Sequence, residues 1–317
     1  AWHCFCQPKK KKTSLSKKNI ILPLFVVEDG AEKVATPDNL FIALQVGELE
    51  AFFEKNVVAS GIQGVALFPV MKREHKDETG AWALNENNVL CKALKNLKKS
   101  FPNIGLVADV ALDPYTNHGH DGLLKGGDVD NDTTCDVLAQ MSLLYAECGA
   151  HMLGLSDMMD GRVGVVREAL EAKGFVNTQI LAYTAKYVSS LYGPYRAQVG
   201  SQLKVAPFSK KTYQMDYRNY DEALREAKLD LEEGADCLMV KPGGFYLDVI
   251  SGMARMCRCP IFAFQVSGEY GMLCAAAKRG YITYEDALME SLYALKRAGA
   301  SGIVTYGALD AARLLSR

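Results

Sequence analysis

Apolar residues in this chain gather into short, nearly unbroken runs, and amphipathic stretches lie between them. The runs are NIILPLFVV (19–27), GVALFPV (64–70), GLVADVA (105–111), HMLGLS (151–156), QILAYT (179–184), CLMVK (237–241), IFAFQV (261–266) and GIVTY (302–306). They are rich in β-branched residues and hardly alternate, which predicts strands buried on both faces. GELEAFFEKNVVASG (47–61), TTCDVLAQMSLLYAECG (133–149), DEALREAKLDLEEG (221–234) and YEDALMESLYALKRAGA (284–300) carry apolar residues at helical spacing. Three of these end in similar phrases, CGAHML, EGADCL and AGASGI, so a helix–Gly–Ala–strand junction recurs. Eight buried strands separated by helices imply parallel pairing, and the count matches a closed (β/α)8 TIM barrel. An open doubly wound sheet is the alternative, but VVEDGAEK after the first strand carries no glycine fingerprint. Residues 1–18 read as a short N-terminal basic arm, and 19–317 as one barrel domain.

Composition narrows the function classes. A net charge of -1 argues against general nucleic-acid binding, and no apolar run is long enough for a membrane span. The first residues are basic and polar, without the apolar core of a secretory signal. Lys9 to Lys12 read as a solvated arm, with a contact to another subunit as the functional alternative. Nine cysteines, mostly scattered inside predicted elements, suit a reducing compartment; Cys91, Cys135, Cys148, Cys237 and Cys274 read as small buried hydrophobes. The C-x-C pairs Cys4/Cys6 and Cys257/Cys259 lack the partners of a zinc site.

In a barrel of this kind the chemistry sits at the carboxyl ends of the strands. There the sequence places Asp109 and Asp113, Ser156, Lys186, Lys241, Ser267 with Glu269, and Tyr306. Lys186 and Lys241 close consecutive strands. Two ammonium groups in one partly dry space depress each other's pKa, and a neutral amine attacks carbonyls to form a Schiff base. Pro242 fixes the strand's exit, and the glycines after Lys241 are expected to leave room for a substrate. Arg196, Lys210, Lys211 and Gln214 are suited to holding a carboxylate. ALDPYTNHGHDG (111–122) reads either as a metal loop using Asp113, His118, His120 and Asp121 or as a loop tied by hydrogen bonds.

VKPGGFYLD, YTAKYVSSLYGPYR, DVALDPYTNHGHDG, SDMMDGRV and QVSGEYGML together resemble the porphobilinogen synthase (5-aminolevulinate dehydratase) family, from about Leu22 to the C-terminus. The resemblance implies a hydro-lyase, usually a homo-octamer, that condenses two molecules of 5-aminolevulinate into porphobilinogen with loss of two waters. It implies Schiff bases on Lys241, for the propionate-side substrate, and on Lys186, for the acetate side. Ser267 and Tyr306 would bind the first carboxylate, and Arg196, Lys210 and Gln214 the second. Asp109 and Ser156 would line the reacting centre, with Asp113 and Asp121 as further catalytic candidates.

Where zinc-dependent members carry three cysteines, this chain has Ala111, Asp113 and Asp121. That resembles the aspartate-rich, magnesium-responsive branch. It implies allosteric Mg2+ at Glu226 and no zinc in the active site; from the residues alone Glu226 is an exposed helix carboxylate. The chain departs from the family at Gly154-Leu155, in the segment after strand one, and in its lysine-run arm. A class I aldolase-like barrel with a single imine lysine and a non-catalytic barrel scaffold are the competing readings. Localisation is expected to be cytoplasmic or plastid stroma, without membrane or nucleic-acid partners.

Overall fold

The computed structural model of the protein describes residues 13–31, 40–203 and 209–317. The expectations for Cys4, Cys6 and the Lys9 to Lys12 run lie outside the described residues, as do those for part of the segment after strand one.

Each apolar run is a strand: β1 (Ile20–Val27), β2 (Gly64–Val70), β3 (Gly105–Val110), β4 (Met152–Leu155), β5 (Gln179–Lys186), β6 (Cys237–Lys241), β7 (Ile261–Gln265) and β8 (Gly302–Thr305). All pair in parallel with their neighbours, and β8 closes on β1 through Ile20↔Ile303 and Ile21↔Val304. The closed barrel explains the unbroken apolar runs. One face of every strand fills the interior and the other meets the helices, so β1 is buried at every position.

The helices are α1 (Leu49–Phe52, continuing as a π-helical segment Phe53–Val58), α2 (Val89–Ser100), α3 (Asn131–Glu147), α4 (Arg162–Ala172), α5 (Gly193–Val199), α6 (Asp221–Glu232), α7 (Leu247–Met256), α8 (Ser267–Lys278), α9 (Tyr284–Ala298) and α10 (Ala308–Leu314). The repeated Gly–Ala phrase is one physical device used three times. Gly149, Gly234 and Gly299 take positive φ, and the next residue's N–H returns to the carbonyl five residues back: Ala150 to Tyr145, Ala235 to Asp230, Ala300 to Leu295. The chain then enters β4, β6 or β8 with a bond to the start of the preceding strand: His151 N–H to Leu106, Asp236 N–H to Ile180 and Ser301 N–H to Ile261.

The described cysteines are free thiols. Cys91, Cys135, Cys148 and Cys237 are buried as expected, but Cys274 is only half-buried, as are Cys257 and Cys259. Among the described residues no helix is long and apolar enough to cross a membrane.

Candidate active site

Lys186 and Lys241, the last residues of β5 and β6, are direct register partners. Between Ala182 and Ala185 the β5 register slips against β6 by one residue, a β-bulge. A regular strand sends residues three apart to opposite faces. The bulge cancels that alternation, so Tyr183 and Lys186 both reach the interior.

Lys241 is 5% exposed, and its Nζ lies over four aromatic rings: Phe264 at 4.5 Å, Tyr183 at 5.0 Å, Tyr195 at 5.3 Å and Tyr192 at 5.7 Å. Aromatic faces attract a cation, but by only about 2 kcal/mol even when desolvated. Burial, followed by the charge of Lys186, brings the Lys241 amine down from 10.5 to about 7. Asp109 is the complementary group. Neither of its carboxylate oxygens has a hydrogen-bond partner among the described residues. Burial pushes its carboxyl up to about 7, against the pull of Lys241 and with help from Asp113. An amine and a carboxyl of similar proton affinity therefore share one dry space.

Lys186 has different company. Its Nζ donates to Asp121 Oδ2 at 3.1 Å and to the Ser156 carbonyl. Asp121, fully buried, also accepts from Lys210 Nζ at 2.6 Å and Gln214 Nε2 at 3.5 Å. Burial alone would raise the Asp121 carboxyl, but Lys186 and then Lys210 overcome it and hold it well below the usual carboxylate range. Asp113 stands 4.0 Å from Lys210. These groups, with Tyr192, Tyr195, Arg196 and Lys241, enclose a cavity of only about 20 Å³. A water fits there, and a substrate does not.

Three of the expected carboxylate binders lie at the cavity's edge or behind it. Ser267, at the start of α8, is fully buried, and its Oγ is engaged by the Tyr195 N–H at 3.2 Å and the Leu191 carbonyl at 3.3 Å. Tyr306 stacks on Phe25 at 6.4 Å, outside the cavity lining. Arg196 is half-buried at the cavity's edge, its guanidinium 5.6 Å from the Tyr192 ring.

The glycines after Lys241 do not clear space for a substrate, which corrects the expectation. A Cβ on Gly244 would stand 2.5 Å from Glu269 Oε1, and one on Gly243 would stand 3.0 Å from Leu295. They let the backbone run against β7 and α8: Gly243 N–H bonds to the Phe264 carbonyl at 2.8 Å, and Gly244 N–H to Glu269 at 2.6 Å. Glu269 also accepts from Val266 N–H at 2.7 Å, capping α8. Gly154, where the family pattern differs, meets the Tyr183 ring; a Cβ there would lie 3.2 Å from Cε2.

The 111–122 loop is tied by hydrogen bonds. His118 Nδ1 accepts from the His120 N–H at 3.1 Å, and His118 Nε2 faces the Glu78 carbonyl at 3.1 Å, so this ring carries its proton on Nε2. His120 Nδ1 meets the Tyr213 hydroxyl at 3.1 Å. Among the described residues no three His, Cys, Asp or Glu side chains converge as a metal-ligand set. Glu226 is not the exposed carboxylate expected. Its side chain is 19% exposed, and its carboxylate lies 3.8 Å from the guanidinium of Arg162. That buried arginine also faces Asp230 at 3.8 Å and Asp157 at 3.7 Å. Burial, then Asp230, pushes the Glu226 carboxyl up to about 7.

The aromatic enclosure of Lys241 was not assigned from the sequence. Tyr183, Tyr192 and Tyr195 lie inside YTAKYVSSLYGPYR, but their convergence depends on the bulge and on α5 folding back. Phe264 sits in an apolar run where any core strand would carry one.

The delta-aminolevulinic acid dehydratase family model matches residues 4–314. A Bradyrhizobium diazoefficiens delta-aminolevulinic acid dehydratase is 45% identical over 310 residues, covering 96% of this chain and 86% of its own length. The chloroplastic enzyme of that name from Chlamydomonas reinhardtii is 41% identical over 320 residues, covering 96% and 80%. The crystal structure of the Toxoplasma gondii enzyme in complex with its reaction product porphobilinogen superposes with a TM-score of 0.91 at 40% identity, over 96% of this chain and 86% of that one.

Proposed function

The chain belongs to the delta-aminolevulinic acid dehydratase family, and from that premise we propose how its own residues carry the reaction. It is a hydro-lyase that condenses two molecules of 5-aminolevulinate into porphobilinogen with loss of two waters, a step of tetrapyrrole synthesis. Family membership sets aside the aldolase-like and scaffold readings.

Lys241 is the first nucleophile. Near neutral pH about half of its amine is uncharged, and Asp109 beside it takes or returns the proton as the carbinolamine loses water. The resulting imine draws electrons from the neighbouring carbon. Lys186 forms the second imine once its proton passes to water. Arrival of the second substrate's carboxylate offers Lys210 and Gln214 a partner in place of Asp121, and gives Arg196 at the cavity's edge a partner of its own. Joining the two fragments releases both lysines, so the two imine-forming steps account for both waters lost. Holding two substrates in register is worth about 7–11 kcal/mol of the barrel's catalytic task. Ser267 and Tyr306 bind the propionate-side carboxylate after the cavity widens and Tyr195 leaves the Ser267 hydroxyl.

The observation that carries this reading is the buried Lys241 amine, brought to about 7 beside its register partner Lys186. The test is borohydride reduction in the presence of 5-aminolevulinate, followed by peptide mass analysis. A substrate adduct on the Lys241 peptide is expected; protein that forms the pyrrole yet yields no such adduct overturns the mechanism.

The residues around Glu226 suit a mostly hydrated Mg2+. That ion needs only one or two carboxylates, and a cation there would offset the crowding of Glu226 by Asp230. Its role would be electrostatic support away from the reacting lysines. A homo-octamer and a reducing compartment, cytosol or plastid stroma, complete the proposal. Light scattering with and without Mg2+ tests the assembly.

A further inference from the structure

A second hollow opens beside the reaction cavity. It measures about 720 Å³ and is lined by Tyr217, Phe245, Tyr246, Arg196 and Lys211, among others. Arg196 borders both spaces, so the two adjoin. The reaction cavity holds about 20 Å³, whereas small-molecule sites run from about 300 to 1,000 Å³. The larger hollow is the one already sized for a ligand.

Its lining has a definite chemistry. Phe245 is 69% exposed and Tyr217 is 62% exposed, and both border this one hollow. Tyr246 is held in place by stacking on Tyr187 at 4.1 Å and 16°. Two cations stand over these rings' space. Neither Arg196 nor Lys211 forms an ion pair among the described residues, and Asp216 close to Lys211 is engaged by Arg218.

Flat aromatic faces combined with two cations select a flat ring with two carboxylates. The substrate of the proposed reaction is aliphatic, with one carboxylate and an ammonium group. The product is a pyrrole bearing two carboxylates and an aminomethyl group, so it differs from the substrate in its flat ring and its second carboxylate. We infer that this hollow is an outer subsite that holds the pyrrole dicarboxylate on its way out, a reading that rests on the function proposed above. Tyr217 and Phe245 stack on the ring, and Arg196 and Lys211 take the carboxylates.

The test uses a Lys186→Met variant whose Lys241 has been reduced onto 5-aminolevulinate with borohydride, so that neither lysine can capture a further substrate; the unsubstituted, untreated enzyme is the control. Porphobilinogen is then titrated by calorimetry. One molecule per chain is expected to bind. Phe245→Ala should weaken binding about tenfold, Lys211→Ala about threefold or more with a shallower salt dependence, and 5-aminolevulinate should bind at least about tenfold less tightly. Three results overturn the subsite: no porphobilinogen binding to the trapped enzyme, indifference to both substitutions, or equal affinity for 5-aminolevulinate. Pyrrole formation by untreated enzyme is measured in parallel. Its absence overturns the functional reading and the subsite with it; normal turnover without binding to trapped enzyme overturns the subsite alone.

Discussion

Replacing Lys186 with methionine removes one charge from beside Lys241 while keeping the side chain's length. Burial and the Lys186 charge together bring the Lys241 amine from 10.5 to about 7. Register-paired strands lie about 5 Å apart, which puts the two amine tips at about 6 Å. At an effective dielectric constant of about 20 the repulsion is about 3 kcal/mol, or roughly two pH units at most. Asp121, freed from one of its cations, adds to the rise because its charge then acts more fully on Lys241. Lys186→Met should therefore move the midpoint for imine capture at Lys241 upward by about 1–2 units. At pH 7 the uncharged fraction falls from about half to about 1–9 per cent, and capture slows about five- to fiftyfold. At pH 9 most of that loss should be recovered. The assay is the initial rate of borohydride-trapped adduct on the Lys241 peptide as a function of pH, which needs no condensation step. A midpoint that stays near 7, or that falls, refutes the claim that Lys186 sets the state of Lys241.

Asp109→Asn preserves shape but removes the proton carrier: kcat should drop about 10²- to 10⁴-fold with KM changed only severalfold, read by steady-state pyrrole formation. The same change takes a carboxylate away from Lys241, so its capture midpoint should shift downward, opposite in sign to Lys186→Met. Gly244→Ala would put a methyl group 2.5 Å from Glu269 Oε1 and disturb a bond from the Gly244 N–H. A loss of about 1–3 kcal/mol in urea unfolding is expected. Glu226→Gln should abolish any Mg2+-dependent change in size or thermal midpoint while leaving adduct formation on Lys241 intact; an unaltered Mg2+ response removes Glu226 from the metal site.

The sequence disclosed the scaffold and the two strand-end lysines because both depend on local signals. Strands buried on two faces appear as unbroken apolar runs, and a lysine ending such a run is conspicuous. The Gly–Ala junctions were legible for the same reason, since a left-handed helix end needs glycine within one short phrase. What stayed hidden depends on distant partners. Asp121 meets Lys186 across 65 residues and Lys210 across 89, and nothing near Asp121 distinguishes it from its neighbours in DPYTNHGHDG. The bulge in β5 has no sequence mark, yet it decides whether Tyr183 shares an interior with Lys186. The glycines of KPGG were read as empty space because a sequence shows what a residue lacks, not what approaches it. Helices α2, α4, α5, α7, α8 and α10 lie outside the four stretches read at helical spacing, and SGE reads as a strand's end although Glu269 caps α8.

The two lysines sit side by side and are chemically unlike, and this gives the reaction an order. Lys241 is surrounded by rings and a carboxyl of matching proton affinity, so its uncharged form is abundant before any substrate arrives. Lys186 is tied to a carboxylate that also holds Lys210. Releasing it requires something to compete for that carboxylate's partners, and an incoming substrate carboxylate does so by engaging Lys210 and Gln214. In the mechanism proposed above, the propionate-side substrate would bind to a lysine ready for it, and the acetate-side substrate would free its own. Two identical substrates can then be placed in different roles because the enzyme offers them two amines in unequal states. An enzyme with equivalent lysines would load either side first. Rapid-quench trapping should instead find adduct on Lys241 before any appears on Lys186, and simultaneous labelling would contradict the asymmetry.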